Sequence, residues 1–112
     1  MRLVFAEPAE RDLKSIIEYI AHDNLTAAEK VFRAIVATAE RLTEFPEMGH
    51  VGRLPDTREF RVVGLPYLIV YQVAADTVTV LAVFHGARDL ARALVERRNE
   101  QSKHGRLRER DR

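Results

Sequence analysis

Hydrophobic and polar positions recur along this chain with two different periods, and the change of period divides it into elements. Arg2-Leu3-Val4-Phe5-Ala6 is a short, mostly apolar run that predicts a first strand. From Pro8 the period lengthens. Leu13, Ile16, Ile17 and Ile20 fall at the i, i+3, i+4, i+7 positions of an amphipathic helix. Pro8 suits a first helical turn, where its missing N–H costs nothing. Glu10 and Asp12 in that region complement the positive end of the helix dipole. The sequence His22-Asp23-Asn24 closes the helix.

A second helix follows almost at once. Asn24 or Thr26 can cap it, and Thr26 with Glu29 three residues on has the form of a capping box. Ala28, Val31, Phe32, Ile35, Ala39 and Leu42 make its apolar stripe, with Glu29, Lys30, Arg33, Glu40 and Arg41 turned mostly to water. So short a link predicts an antiparallel helical hairpin. Phe45-Pro46-Glu47-Met48-Gly49 ends the second helix, and residues 46–57, broken by Gly49, Gly52 and Pro55, read as a loop.

The pattern then shortens to strand-like runs. Residues 59–63, 67–73 and 78–84 are rich in Val, Ile, Tyr and Phe. Gly64-Leu65-Pro66 and Ala74-Ala75-Asp76-Thr77 link them, and links of that length force neighbouring antiparallel strands. Residues 88–98 predict a last helix, with Leu90 and Leu94 on one side. The element order is β-α-α-β-β-β-α. The fold class is α+β, a helical hairpin packed on a small antiparallel sheet.

Composition narrows this picture. A chain of 112 residues, 46% hydrophobic and 31% charged, fits one globular domain. There is no cysteine, so disulfides, thiol catalysis and thiolate zinc sites are excluded. No apolar run approaches the roughly 20 residues that a membrane helix requires. Glu7 comes too early for a signal peptide. The expected location is the cytoplasm, with no membrane partner. Charge is uneven. Residues 1–95 hold 11 Lys and Arg against 13 Asp and Glu, a net −2, whereas residues 96–112 hold 7 against 4, a net +3. Leu107 is the one large apolar residue of that tail, so it has little to bury. The domain is therefore expected to span 1–95, with 96–112 a basic, flexible extension.

Candidate chemistry is sparse. There is no glycine-rich phosphate loop, no His-x-x-x-His pair and no nucleophile elbow, and the serines are Ser15, in a helix, and Ser102, in the tail. His22, His50, His85 and His104 are far apart in sequence, so neither a metal site nor a cofactor is expected. Three features stand out. His85-Gly86-Ala87-Arg88-Asp89 lies at the exit of the last strand, where His85 and Arg88 would sit together. In Arg58-Glu59-Phe60-Arg61, period-2 alternation puts Glu59 and Arg61 on one face, predicted to be wet, and Phe60 with Val62 on the other. Tyr67, Ile69 and Tyr71 point one way and Leu68 and Val70 the other, so that strand is apolar on both faces.

These features in this order resemble the ParE/RelE superfamily of bacterial type II toxins. The resemblance covers residues 2–95. It runs through Arg11-Asp12-Leu13, Ile16, Glu18-Tyr19-Ile20, Asp23-Asn24, Ala27-Ala28, Phe45-Pro46-Glu47-Met48-Gly49, Arg58-Glu59, Tyr67-Leu68-Ile69-Val70-Tyr71 and Val83-Phe84-His85-Gly86-Ala87-Arg88-Asp89. It implies a growth-inhibiting plasmid-stabilisation toxin neutralised by a cognate ParD-like or RelB-like antitoxin, in a heterotetramer. RelE-like members are ribosome-dependent mRNA endoribonucleases that use Lys and Arg on the sheet face with a C-terminal tyrosine or histidine. ParE-like members poison DNA gyrase.

Against that pattern, Arg61 and Arg88 fall where RelE-like enzymes keep cations, but Glu59 and Leu68 fall where further Lys or Arg is usual. Leu94 lies near where a tyrosine would be needed. A carboxylate at a cation position is expected to repel a scissile phosphate. The expected mode is therefore binding to gyrase with no chemistry of the chain's own, through Arg61, His85 and Arg88. Those three would be the catalytic set under the ribonuclease alternative. Tyr19 and Phe32, on the hairpin, are the expected antitoxin contacts.

Overall fold

The computed structural model describes residues 1–86. Its elements are β1 (Arg2–Phe5), α1 (Glu7–Asp23), α2 (Leu25–Glu44), β2 (His50–Val51), β3 (Arg58–Arg61), β4 (Tyr67–Ala74) and β5 (Thr77–His85). The helix expected over 88–98, and with it Arg88, Asp89 and the basic tail, lies outside the described residues. Asn24 is the cap of α2, its side chain accepting the Ala27 N–H at 3.0 Å. That cap starts the helix at Leu25, so Thr26 falls inside it and the capping-box alternative is not the one used.

The five strands lie in the order β1-β5-β4-β3-β2. β3, β4 and β5 form the expected antiparallel meander. Two details differ from the expectation. β1 runs parallel to β5, so the sheet is mixed. The 46–57 segment also contributes a short edge strand, because His50 and Val51 pair with Glu59 and Arg58. A two-residue strand has no periodicity to read, which is why it looks like loop in the sequence.

Alternation across the sheet builds two apolar layers. Ile35, Ala39 and Leu42 of α2 and Ala9 of α1 pack on Ile69, Tyr71, Val78, Val80 and Val83. On the opposite face Val70, Ala82 and Phe84 form a smaller cluster against Leu54 and Leu68. A β-bulge makes this arrangement possible. Val70 pairs with Ala82 but Tyr71 pairs with Val80, leaving Leu81 as the extra residue. The extra residue shifts the alternation, so Val78, Val80 and Val83 share the helix side while Ala82 and Phe84 turn away.

Candidate functional site

The α2–β2 corner is fastened to the sheet by side chains. The Tyr71 hydroxyl accepts the Gly49 N–H at 2.9 Å and donates to the Pro46 carbonyl at 2.8 Å. Arg58 Nη1 donates to the Gly49 carbonyl at 2.7 Å. Burial raises the pKa of the Tyr71 phenol, with the Gly49 hydrogen bond and the Arg58 charge acting in the lowering direction. Burial likewise raises the pKa of Tyr67. Both tyrosines share one face with Ile69, as the alternation of β4 predicts, and that face is the helix-side core.

The far end of β5 is held differently. β1 reaches only as far as Val80, through its partner Phe5 and the Ala6 N–H to Val80 carbonyl bond of 2.9 Å. Beyond that point no strand among the described residues pairs with β5 on this side, and Asp12 of α1 takes over. Its Oδ2 accepts the Val83 N–H at 3.0 Å. A buried strand amide without an acceptor costs free energy, so this carboxylate completes the ladder from a helix.

Glu59 departs from the wet face expected for it. It is 2% exposed. The segment after β2 folds back over it, so that the Arg53 N–H donates to Glu59 Oε2 at 2.9 Å. His50, its cross-strand neighbour, places Nε2 3.5 Å from Oε1. The alternation reading put Glu59 on the correct face. What it missed is that this face also carries Leu68 and Val70, and that the loop covers it. An inward, hydrogen-bonded carboxylate does not confront an incoming phosphate, so the expected repulsion is removed as an argument.

Arg61 and His85 come to the same end of the sheet but to opposite faces. Arg61 pairs with Leu68, whose partner Phe84 lies on the side away from the helices. His85 pairs with Tyr67 on the helix side, and their rings meet edge to face at 5.3 Å. Both are exposed. Among the described residues, then, the expected site does not assemble as one cluster.

On the hairpin, Tyr19 is 82% exposed and Phe32 45%, so neither is a core residue. Phe32 lines an open apolar cleft of about 430 Å³ with Phe5, Leu13, Ile17 and Val36, edged by Glu10, Lys14 and Glu18. Tyr19 stands on α1 outside that lining. Among the described residues there is no group of three or more acidic, histidine or cysteine side chains that could hold a metal, and no helix long and apolar enough to cross a membrane.

Residues 3–90 match the family model described as the ParE toxin of the type II toxin-antitoxin system parDE. The protein Y4kP of Sinorhizobium fredii is 38% identical over 77 residues, covering 69% of this chain and 79% of that one. Toxin RelE2 of Caulobacter vibrioides is 33% identical over 87 residues, covering 78% of this chain and 97% of that one. Among solved structures, a chain of the chromosomal ParDE system of P. aeruginosa superposes with a TM-score of 0.69 at 19% identity, covering 77% of this chain and 96% of its own. The isolated E. coli RelE toxin gives 0.51 at 23% identity, with coverages of 86% and 96%. At these identities the two structures speak for the fold.

Proposed function

The chain belongs to the ParE family of toxins from type II toxin–antitoxin systems, and we propose that it arrests growth by binding and poisoning DNA gyrase. The observation that supports this reading is that Leu68 and Glu59 stand at positions where RelE-like enzymes carry cations. RNA cleavage at a 2′-hydroxyl needs a base, a donor to the leaving oxygen and cations around the phosphate. Here Leu68 takes one position where RelE-like enzymes carry a cation. Glu59 takes another and is turned inward. Arg61 and His85 sit on opposite faces. Arg61, His85 and Arg88 act as contacts to the target in this reading.

A cognate antitoxin, ParD-like or RelB-like, neutralises the toxin in a heterotetramer. Its apolar segment docks on the exposed hairpin, with Tyr19 and Phe32 as contacts. The Phe32 cleft offers the groove into which an amphipathic segment can lay its apolar side.

The ribonuclease reading remains the second one, because Toxin RelE2 is matched over nearly its whole length. Expression of this chain without its antitoxin distinguishes the two. Gyrase poisoning leaves gyrase trapped on cleaved chromosomal DNA with mRNA intact. Fragmented mRNA with undamaged DNA overturns the gyrase reading.

A further inference from the structure

Residues 52–57 cross the sheet as a closed strap. The Gly52 N–H donates to the Thr57 carbonyl at 2.7 Å. Thr57 returns to the Leu54 carbonyl through its N–H at 3.4 Å and its Oγ1 at 2.7 Å. Leu54 packs on the Val70–Ala82–Phe84 cluster. The strap therefore lies over the face that carries Arg61.

Between these fixings stands Arg53. It is exposed, and its N–H lies past the end of β2, where the strand ladder supplies no acceptor. Glu59 supplies it. Among the described residues Glu59 is the one charged side chain that is buried. Burying a carboxylate is costly unless it is well hydrogen-bonded, and an apolar residue beside Val70 would be cheaper. Among the described residues, the ionisable groups that share its face are His50, opposite it on β2, and Arg61, two residues along β3. Arg58 faces the other side and binds the Gly49 carbonyl.

We propose that Glu59 is a positioning residue that holds Arg53 on the Arg61 face, and that Arg53 is a contact to the toxin's target, through a negatively charged part of the target's surface. The inference rests on the reading of Arg61 as a target contact. The positive charge at this place comes from the strap, and Glu59 is its mount.

The test uses the full chain, with growth arrest in cells lacking antitoxin and hydrogen exchange of the Arg53 amide. Arg53→Ala keeps the backbone donor. It should fold and keep its exchange rate while growth arrest falls at least about tenfold. Glu59→Gln retains an acceptor and should resemble the wild type in both readouts. Glu59→Ala should speed exchange at Arg53 about tenfold, the loss expected for a hydrogen bond to a charged group, and growth arrest should fall with it. An Arg53→Ala chain as toxic as the wild type overturns the proposal, as does a Glu59→Ala chain whose Arg53 amide stays protected or whose toxicity is unchanged. If Glu59→Ala does not fold, Arg53→Ala and Glu59→Gln decide between the same outcomes. Growth arrest reads toxicity whatever the target. A wild-type chain that arrests growth but spares gyrase removes the gyrase reading alone, and one that arrests no growth overturns both.

Discussion

The Gly49 N–H donates to the Tyr71 hydroxyl at 2.9 Å, joining residues 22 apart in sequence. With the Tyr71 bond to the Pro46 carbonyl, one phenol closes both ends of the corner between α2 and β2. Gly49 has to be small here. A Cβ would overlap the Tyr71 hydroxyl and lie 2.9 Å from the Glu59 carbonyl oxygen. Tyr71→Phe leaves the corner's donor and acceptor without this partner and should lower stability by about 1–3 kcal/mol, read by urea denaturation. Gly49→Ala forces the ring or the backbone to shift and should cost a similar roughly 1–3 kcal/mol. A Tyr71→Phe chain as stable as the wild type would show that the hydroxyl does not hold the corner.

Alkaline pH should act on the same core. Burial raises the pKa of both Tyr67 and Tyr71 above the ordinary phenol value. Above about pH 10 the unfolded chain loses phenolic protons that the folded chain keeps, so the folded state binds more protons. The contribution is complete below that pH and is lost as pH rises through the folded-state values. Denaturation midpoints should be flat below pH 10 on this account and fall above it. Phenylalanine at both positions should flatten the fall, and an unchanged slope would place its origin elsewhere.

Asp12 completes the β5 edge through one carboxylate oxygen, which accepts the Val83 N–H. Asp12→Ala orphans the Val83 amide and should cost about 1–3 kcal/mol. Asp12→Asn keeps an oxygen in place and should recover most of the Val83 contact, visible as restored protection of that amide from exchange. Equal exchange at Val83 in both variants would contradict this role.

The hairpin surface gives a prediction for the antitoxin, taken as the product of the adjacent gene. Phe32 lines the apolar cleft and Tyr19 does not. Phe32→Ala should therefore weaken antitoxin affinity by about 1–2 kcal/mol in titration calorimetry, and Tyr19→Ala by less. Both are exposed enough for truncation to leave the fold intact. Unchanged affinity in both variants would place the antitoxin on another face.

The sequence was most legible where a period persisted. The stripe of α1, the stripe of α2 and the alternation of β4 each extend over several repeats, and the elements appear where the pattern puts them. It was least legible where structure depends on one residue or on contacts distant in sequence. The parallel pairing of β1 with β5 has no local signature. Neither has the bulge at Leu81, which lets Val80 and Val83 share a face. Among site residues, alternation placed Tyr67 and Tyr71 on one face of β4 and Glu59 with Arg61 on one face of β3, as the structure has them. It could not show that residues 52–57 fold over Glu59, although the apolar Leu68 and Val70 on that face were a signal of burial. Arg61 and His85, expected to act as one set, do lie at the same end of the sheet but on opposite faces. The sequence does not show this, because a residue's side of the sheet follows from cross-strand register, which only the folded chain supplies.

The most direct test of the central claim pairs two assays on one preparation of purified protein. Gyrase supercoiling of a relaxed plasmid is measured with increasing toxin, beside cleavage of mRNA on programmed ribosomes. The account predicts that supercoiling is inhibited at micromolar toxin, that cleaved plasmid accumulates, and that mRNA stays whole. Undisturbed supercoiling together with cut mRNA would contradict it and establish the ribonuclease.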